Sequence, residues 1–326
     1  MKILIIGAAG MVGRKLSARL ALDGQLNQQP ISDITLFDVV AASPPPASTD
    51  MALHVRIGDL SEPGEAAAVI ADRPDVIFHL AAIVSGEAEA DFAKGYRINL
   101  DGTRALFDAI AAVDDYLPRV VFTSSIAVFG APFPDAIGDE FHTTPLTSYG
   151  TQKAICELLL SDFSRRGLMD GVGIRLPTIC VRPGLPNKAA SGFFSNIIRE
   201  PLAGRDAVLP VSDDVRHWHA SPRSAVGFLL HAAAIDTATV GPRRNLTMPG
   251  VSVTVGEQIA ALQEIAGANV VARIRREPDA AICQMVAGWP RNFDASRATR
   301  LGFVADRSFA DIIRVHLADE CDGRME

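Results

Sequence analysis

The sequence is short of cysteines, of basic residues and of long apolar runs. Its four cysteines, Cys156, Cys180, Cys283 and Cys321, are widely spaced and form no CxxC pair. This spacing argues against a disulfide framework and a zinc site and favours a reducing compartment, so we expect a cytoplasmic protein. The formal charge of −7 provides no basic surplus for nucleic acid or an anionic membrane, and no apolar run approaches the length that crosses a bilayer.

The composition that remains is that of a globular protein. The length of 326 residues suffices for one large or two modest domains with a core. Of these residues, 48% are hydrophobic and 21% are charged, as in globular proteins. The opening stretch MKILIIGAAGMVGRKL has two interpretations, because Lys2 and the apolar residues after it also fit a secretory signal peptide. Arg14 and Lys15 stand where a cleavage region is small and uncharged, so we expect a strand that turns into a helix.

Strand and helix patterns alternate through the first half of the chain. Strands are predicted at 2–7, 34–39, 53–60, 75–82, 119–130 and 171–180. Helices are predicted at 11–23 (closed by Gly24), 62–72, about 88–113 and 148–166. Several of these strands are apolar on both faces, which indicates a parallel sheet covered by helices on both sides. The predicted fold class is therefore α/β, with a doubly wound parallel sheet.

The second half loses this alternation. It reads as loops and short helices, at 192–204, 222–235, 256–267 and 306–318. We therefore predict a sheet domain over 1–176 and a smaller region over 177–326, part of which returns to the sheet. A proline-rich loop without regular structure is predicted at 42–50.

A glycine motif follows the first strand. Gly7, Gly10 and Gly13 have GxxGxxG spacing and open a helix, so the backbone can approach a pyrophosphate and the helix N-terminus can stabilise its charge. Asp38 ends the second strand, where a carboxylate accepts both adenosine ribose hydroxyls and repels a 2′-phosphate. Alone, the motif also fits a glycine-rich turn without a ligand. With Asp38 it predicts NAD in preference to NADP.

A tyrosine and a lysine share one helical face. Of the three tyrosines, Tyr96, Tyr116 and Tyr149, only Tyr149 has a lysine, Lys153, four residues further on. A nearby ammonium lowers the pKa of a phenol, so Tyr149 is suited to take a proton from an alcohol. Ser125 ends a predicted strand at the edge where such sheets bind ligands, and its hydroxyl can orient the alcohol. Taken singly, the pair also fits an exposed surface contact and the serine fits ordinary turn chemistry.

In order along the chain, these motifs resemble those of the extended short-chain dehydrogenase/reductase family. The matching stretches cover nearly the whole chain and are the glycine motif, Asp38, Asp59-Leu60, HLAA (79–82), INLDGT (98–103), TSSIAVFG (123–130), SYGTQK (148–153) and the tail NFDASRATRLGFVADRSFADII (292–313). The resemblance implies a Rossmann-type domain, NAD and a catalytic set of Ser125, Tyr149 and Lys153.

The same resemblance implies a cofactor site and a dimer. The residues implied to line NAD are Gly7, Gly10, Met11, Val12, Gly13, Asp38, Asp59, Leu60, Leu80, Ala81, Ala82, Asn99, Tyr149, Lys153 and Pro177. Asn99 is expected to act mainly through structure and water. The family's usual homodimer would use the helices at about 100–113 and 149–165.

The substrate is implied by the second half of the chain. Residues 175–211 and 216–233 resemble a branch of the family that uses NAD to oxidise the 2-hydroxyl of a four-carbon sugar acid, D-erythronate, to a 2-oxo acid. We expect Ser85, Ser125 and Tyr149 to meet the substrate's hydroxyl groups.

A sugar acid also needs a cation for its carboxylate, and an arginine fork suits a carboxylate best. Four cations are available, namely Arg182, Lys188, Arg199 and Arg216. We favour Arg182, because it follows the strand that ends near Cys180.

Two other functions stay open. A nucleotide-sugar epimerase or dehydratase would share the Ser-Tyr-Lys set and keep its NAD tightly bound. Phe129, where many nucleotide-sugar members have tyrosine, favours a different substrate. A non-catalytic NAD-sensing regulator would tend to lose the Tyr149–Lys153 pair, which this chain retains.

Four histidines are candidates for metal ligands or for hydrogen-bonded core residues. His217 and His219 would share one face of a strand, but no third ligand lies close in sequence, so we predict no metal site. His54 and His79 sit in apolar runs and are expected to be hydrogen-bonded core residues. Trp218 fits either a pocket wall or simple packing.

Overall fold

The computed structural model describes residues 1–46, 51–184 and 191–321. Its strands, in chain order, are β1 (Lys2–Ile6), β2 (Gln25–Leu26), β3 (Gln29–Pro30), β4 (Asp33–Asp38), β5 (Ala52–Ile57), β6 (Val76–His79), β7 (Arg119–Ser125), β8 (Ile137–Gly138), β9 (Asp170–Leu176), β10 (Thr178–Ile179), β11 (Ala207–Leu209), β12 (Arg216–Ala220), β13 (Asn245–Thr247), β14 (Val251–Thr254), β15 (Ile274–Arg276) and β16 (Phe293–Asp294).

The helices are given in the same order. They are α1 (Met11–Asp23), α2 (Glu65–Val69), α3 (Ser85–Ala90), α4 (Phe92–Gly95), α5 (Gly102–Ala111), α6 (Ser148–Arg165), α7 (Gly192–Leu202), α8 (Pro222–Ala234), α9 (Thr237–Val240), α10 (Val255–Ala266), α11 (Ala268–Val271), α12 (Ala280–Ala287), α13 (Ser296–Arg300) and α14 (Phe309–Glu320). A π-helix spans Tyr96–Asp101 and a 3₁₀ helix spans Ile126–Val128. Within the described ranges, no helix is both long and apolar enough to span a bilayer.

The chain divides into two compact units. The first, called here the sheet unit, comprises Met1–Val128, Thr147–Arg175 and Val226–Leu246. The second unit comprises Phe129–Leu146, Leu176–Ala225 and Thr247–Glu326. The domain boundary at residue 176 stays a prediction.

A seven-stranded sheet with the order β13-β9-β7-β6-β1-β4-β5 forms the centre of the sheet unit. β1 pairs in parallel with β4 on one side and β6 on the other, and the β4–β5 and β6–β7 pairs are also parallel. The direction of strand succession reverses between β1 and β6, which is the point where doubly wound sheets bind ligands at the strands' carboxyl ends. The predicted fold class is confirmed, and β13 is a late segment that returns to the sheet.

The core of the sheet unit explains the apolar strand patterns. Ile3 to Ile6 of β1 are at most 1% exposed, because helices cover both faces of the central strands. One large apolar cluster joins strand residues such as Phe37 and Phe122 to Phe107 of α5 and Leu160 of α6. Helix α6 is thereby fixed against the sheet along its length.

The single helix predicted over about 88–113 is wrong. The structure has α3, α4, the π-helix and α5 in that interval, because the backbone is extended at Asp91 (φ −128°, ψ 88°). The Asp91 side chain then caps α4 by accepting a hydrogen bond from Lys94 N at 3.0 Å. The π-helix carries Asn99, and the consequence for the site is described below.

The prediction of a core position for His54 is also wrong. Its side chain is 58% exposed and its Nε2 lies 3.5 Å from Asp33 Oδ1. The apolar run around His54 is β5, an edge strand of the sheet whose residues are only partly covered. The predicted loop at 42–50 has no regular structure over 42–46, and residues 47–50 lie outside the described residues.

Arg119 joins the start of β7 to the end of α8. Its Nε and Nη2 donate to Asp170 Oδ2 at 3.0 and 2.8 Å. Its Nη1 donates at 2.9, 3.0 and 2.9 Å to the carbonyl oxygens of Ala232, Ala233 and Ile235. Carbonyls at the end of a helix have no donor within the helix, so one guanidinium satisfies several of them.

We expect Arg119→Met to lower the free energy of unfolding by about 2–3 kcal/mol, because the α8 carbonyls lose their donor and Asp170 is left with its bond to Arg244. Equilibrium urea unfolding measures this loss. The matched control is Arg104→Met, which removes an exposed pair with Asp108 and should cost less than about 1 kcal/mol. Equal losses in the two variants would contradict the assignment.

Two histidines lie in the core of the second unit. The His217 ring stacks on Phe194 at 5.1 Å, and its nitrogens lie 2.7 Å from Thr178 Oγ1 and 3.0 Å from Pro290 O. His219 Nε2 lies 3.0 Å from Gln258 Nε2. Across the described part of the chain, no group of three or more His, Cys, Asp or Glu side chains is placed to hold a metal ion.

These histidines predict acid sensitivity. Burial lowers the pKa of His217 to about 4, and the nearby Arg182 acts in the same direction, against the hydrogen bond to Pro290 O. The unfolded chain protonates the same side chain near pH 6.5, so the stability it contributes is complete above that value and declines as the pH falls toward 4. The slope is about 1.4 kcal/mol per pH unit for one histidine. We therefore expect about 2 kcal/mol less stability at pH 5 than at pH 7.5 from His217.

Urea unfolding of the protein and of a His217→Gln variant at the two pH values checks this. The variant should be less stable at pH 7.5, because it replaces a ring that is hydrogen-bonded at both nitrogens. It should also lose less stability on acidification. An unchanged pH dependence in the variant would show that His217 is not responsible.

Candidate active site

The glycine motif forms a tight cradle between β1 and α1. Gly7 has φ +89°, and a Cβ atom there would lie 2.6 Å from Ala81 N, across the point where strand succession reverses. A Cβ atom at Gly13 would lie 2.3 Å from Gly7 O and 2.8 Å from Ala8 Cα. These positions therefore exclude side chains because other backbone occupies the space.

The N-terminus of α1 is suited to an anion. The helix begins after Gly10, no side chain caps it, and its first turn, which includes Met11 and Val12, contains no acidic residue. Backbone N–H groups and the helix dipole at this end favour negative charge. Together with the cradle that a Cβ atom would fill, this end of α1 fits the pyrophosphate of NAD.

Asp38 lies where β4 ends, beside the glycine cradle. Its Oδ2 accepts from Ala9 N at 2.9 Å, and its Oδ1 accepts from Val39 N at 2.7 Å. The carboxylate is partly exposed, so it also retains capacity to accept hydroxyl donors. This arrangement fits an adenosine ribose with free hydroxyls.

Asp59 is committed to its own turn. Its Oδ1 accepts from Ser61 N at 2.9 Å and Ser61 Oγ at 2.7 Å, and Arg97 Nη1 lies 3.2 Å from Oδ2. Partial burial opposes ionisation, but the Ser61 hydrogen bonds and the Arg97 charge prevail and hold the pKa of Asp59 below its usual value. The neighbouring Leu60 is buried in the core. Their predicted contact with the cofactor stays a prediction.

Leu80, Ala81 and Ala82 follow β6 and are partly exposed. Leu80 N donates to Ile6 O at 2.8 Å, which keeps this loop beside the glycine cradle. The Asn99 side chain anchors the loop, because it accepts from Ile83 N at 2.9 Å and donates to Ile83 O at 3.2 Å.

The π-helix has a local function in this anchoring. It brings Asn99 into the interior, where Nδ2 also donates to Gln152 Oε1 of α6 at 2.7 Å. Asn99 thus connects the loop after β6 to the helix that carries Tyr149 and Lys153. The geometry agrees with the expectation that Asn99 acts through structure.

The predicted catalytic residues lie on helix α6 and at the end of β7. Lys153 is buried, and its Nζ donates to Thr123 O at 2.8 Å. The same Nζ lies 5.8 Å from the centroid of the Tyr149 ring and 4.7 Å from that of Phe122. Ser125 ends β7, is partly exposed, and its Oγ accepts from Ala127 N at 3.1 Å.

Opposing effects act on the pKa of Lys153. Burial lowers its pKa to about 8, while the neighbouring Cys156 and Glu157 act in the opposite direction. His79, in β6, is also buried, and burial with the charge of Lys153 lowers its pKa to about 3. His79 is therefore neutral at pH 7. Its Nε2 lies 2.9 Å from Thr103 Oγ1, as expected for a hydrogen-bonded core histidine, while its buried Nδ1 has no hydrogen-bond partner among the residues that the structure describes.

The predicted substrate residues fall in different units. Ser85 begins α3 in the sheet unit. In the second unit, the Arg182 guanidinium donates to Ile179 O at 3.0 Å and Ser191 Oγ at 3.3 Å. Pro177, which is implied to line NAD, is buried between β9 and β10, and its contact with the cofactor stays a prediction. Arg199 is nearly buried against Glu200 and Arg182 O.

The two remaining candidate cations are Arg216 and Lys188. Arg216 lines a cavity of about 690 Å³ within the second unit, together with Arg291, Asn292, Asp135 and Ser252. Lys188 lies outside the described residues. Trp218, which the sequence left between pocket wall and packing, is 7% exposed and donates to Met248 O at 3.2 Å, so it packs.

Sequence reasoning missed the contacts of Glu157 and Arg175 beneath the site. Arg175 Nη2 lies 2.7 Å from Glu157 Oε2, and both side chains are less than 10% exposed. One signal was available, since Glu157 follows Lys153 by the same four residues that separate Lys153 from Tyr149. The partner on β9 had no such signal, because the pairing is set by the order of strands in the sheet.

The reversed strand order, the glycine cradle and the carboxylate at the end of β4 define a dinucleotide-binding enzyme of the doubly wound class. Residues 3–222 match the model of the NAD dependent epimerase/dehydratase family. The chain belongs to this family, the extended group of short-chain dehydrogenases/reductases, and it is an NAD-dependent oxidoreductase that acts on a CH–OH group.

Several individual proteins resemble the whole chain. It is 46% identical to a D-erythronate dehydrogenase of Cupriavidus necator, over 98% of both chains. It is 40% identical to a D-erythronate dehydrogenase of Haemophilus influenzae, over 96% of this chain and 98% of the relative.

A crystal structure described as a nucleoside-diphosphate-sugar epimerase from Agrobacterium tumefaciens is also similar. It is 66% identical, has a TM-score of 0.97, and the match covers 100% of this chain and 96% of that one. L-threonine 3-dehydrogenase from Trypanosoma brucei shares the fold, with 21% identity, a TM-score of 0.84 and coverage of 97% and 95%.

Proposed function

We propose that the protein oxidises the 2-hydroxyl of D-erythronate to the corresponding 2-oxo acid, with NAD as the oxidant. The observation that carries this proposal is the 46% identity to a D-erythronate dehydrogenase over 98% of both chains. The contacts around Lys153 support it, because Lys153 lies beside the Tyr149 ring and donates to β7, the strand that Ser125 ends.

Each of the three residues has a proposed task. Tyr149 takes the proton of the 2-hydroxyl as the general base, and the ammonium of Lys153 favours its phenolate. Ser125 Oγ accepts from Ala127 N, so its own proton is directed to the substrate oxygen. NAD, held by the glycine cradle and Asp38, supplies the hydride acceptor when bound. Lys153 also has donors beyond the one that Thr123 O accepts, and these suit ribose hydroxyls of the nicotinamide half.

Recognition of the substrate rests on residues that stay predictions. Ser85 is proposed to bond a substrate hydroxyl and Arg182 to bind the carboxylate. Because Arg182 already donates to Ile179 O and Ser191 Oγ, a substrate carboxylate would compete with these bonds. Arg216 is the competing candidate, since it lines a cavity.

A nucleotide-sugar epimerase is the second candidate function. The 66% identical structure described as a nucleoside-diphosphate-sugar epimerase favours it. The two functions differ in the fate of the cofactor, because an epimerase returns the hydride to its substrate and releases no NADH.

A spectrophotometric assay therefore separates them. The protein is mixed with excess NAD and D-erythronate, and NADH absorbance is followed. We expect continued NADH formation, with none from UDP- or dTDP-sugars. Turnover of a nucleotide sugar without any NADH from D-erythronate would establish the epimerase instead.

We also propose that the protein is a cytoplasmic homodimer formed through α5 and α6. Leu158 on α6 is 69% exposed, which is unusual for a leucine in a core-packed helix and suits a helix interface. The molar mass in solution tests this proposal, and a charged residue at position 158 should shift the protein toward the monomer.

A further inference from the structure

A buried ion pair lies directly beneath the candidate active site. Arg175 of β9 donates through Nε to Glu157 Oε1 and Oε2 at 2.9 and 3.1 Å, and through Nη2 to Oε2 at 2.7 Å. The Glu157 side chain is 4% exposed and that of Arg175 is 8% exposed. This bidentate geometry fixes the carboxylate in one position.

The same carboxylate also holds the strand that carries Ser125. Ser124 Oγ donates to Glu157 Oε1 at 2.5 Å. Along β7, Thr123 O holds Lys153, Ser124 holds Glu157, and Ser125 ends the strand beside them. Two consecutive residues, Thr123 and Ser124, are thus hydrogen-bonded to two successive turns of α6, and Ser125 follows them in the strand.

The titratable groups considered around Lys153 lie on three elements, α6, β6 and β9. On α6 itself these are Tyr149, Cys156 and Glu157. Across the sheet, His79 of β6 is neutral at pH 7, since burial lowers its pKa to about 3, and Arg175 of β9 is paired with Glu157. Burial raises the pKa of Cys156 to about 11, so this thiol is also neutral. Glu157 is therefore the fixed negative charge among the named groups.

We propose that Glu157 is a positioning residue for the reaction: its carboxylate, clamped by Arg175, aligns Ser125 through Ser124 and keeps the Lys153 ammonium charged. The inference rests on the proposed function, in which that ammonium supports Tyr149. It assigns two separable effects to Glu157, one of position and one of charge.

Two variants separate these effects. Glu157→Asp keeps the charge but shortens the side chain, so it should lower kcat at least 10-fold and leave the pH profile in place. Glu157→Gln combined with Arg175→Met removes both charges and avoids the unpaired buried arginine that Glu157→Gln alone would leave. In this double variant the alkaline limb of the kcat/KM profile should move toward lower pH, because Lys153 loses the Glu157 charge that opposes the effect of its burial.

A second ion pair, between residues of β7 and β9, is the matched control. Arg119 and Asp170 connect the starts of β7 and β9, the ends of these strands away from Ser125 and Arg175, so Arg119→Met with Asp170→Asn also removes a charged pair. We expect this control to lose stability while its pH limb stays in place. Circular dichroism and thermal unfolding confirm that each compared variant is folded.

The outcomes distinguish this inference from the proposed function. If the unmodified protein forms no NADH from D-erythronate, the proposed function fails first. If it does form NADH but the double variant keeps the wild-type alkaline limb, or Glu157→Asp keeps wild-type kcat, the inference about Glu157 is overturned.

Discussion

Replacing Tyr149 with phenylalanine should reduce the turnover of D-erythronate by about 100- to 10,000-fold, the range that a positioned general base contributes. The ring would remain beside Lys153, whose Nζ lies 5.8 Å from its centroid, so packing is retained and the loss is chemical. NAD affinity should change less than about 2-fold, because the glycine cradle and Asp38 are untouched. Steady-state NADH formation and a direct binding titration measure the two quantities separately.

Tyr116→Phe is the matched control for this prediction. Tyr116 is also a partly buried tyrosine of the sheet unit, and its hydroxyl donates to Pro74 O at 2.7 Å. Its loss should cost about 1 kcal/mol of stability and leave turnover intact. Wild-type turnover in Tyr149→Phe would show that another group takes the proton.

Replacing Gly13 with alanine should raise the dissociation constant of NAD by about 100-fold or more, because the cradle cannot hold its shape. The added Cβ atom would meet Gly7 O at 2.3 Å and two atoms of Ala8 at 2.8 and 2.9 Å. All of these contacts are to backbone, so no flexible side chain can move aside. The first turn of α1 and the residue after β1 would have to separate, which displaces the N–H groups proposed to face the pyrophosphate.

Gly227→Ala provides the control for the added methyl group. Gly227 lies in α8, and a Cβ atom there would have nothing within 4 Å. Alanine is a better helix former than glycine, so stability should rise by up to about 1 kcal/mol with NAD affinity unchanged. If Gly13→Ala binds NAD as tightly as this control, the glycine cradle is not the cofactor site.

The strands of the sheet and helix α6 were predictable because each has a local cause. Residues 3–6 are apolar on both faces, which occurs in strands covered on both sides, and α6 was expected at 148–166 and found at Ser148–Arg165. Gly24, predicted to close α1, does so with φ 64°.

What the sequence concealed depends on distant partners. The interruption at Asp91 and the π-helix around Asn99 accommodate contacts to Ile83 and Gln152, which are far away in the chain. His54 was misjudged because apolarity along a strand does not reveal whether it lies at the edge of the sheet. The Glu157–Arg175 pair depends on α6 packing where β7 and β9 are neighbours, which follows from the topology and from no local pattern.

The central claim is that the protein removes hydride from carbon 2 of D-erythronate. The most direct measurement uses D-erythronate that carries deuterium at carbon 2, with unlabelled NAD, followed by mass spectrometry of the NADH formed. The account predicts that the reduced cofactor carries the deuterium and that the organic product is the 2-oxo acid. Formation of unlabelled NADH would place the oxidation at another carbon, and recovery of D-erythronate without any NADH would contradict the claim altogether.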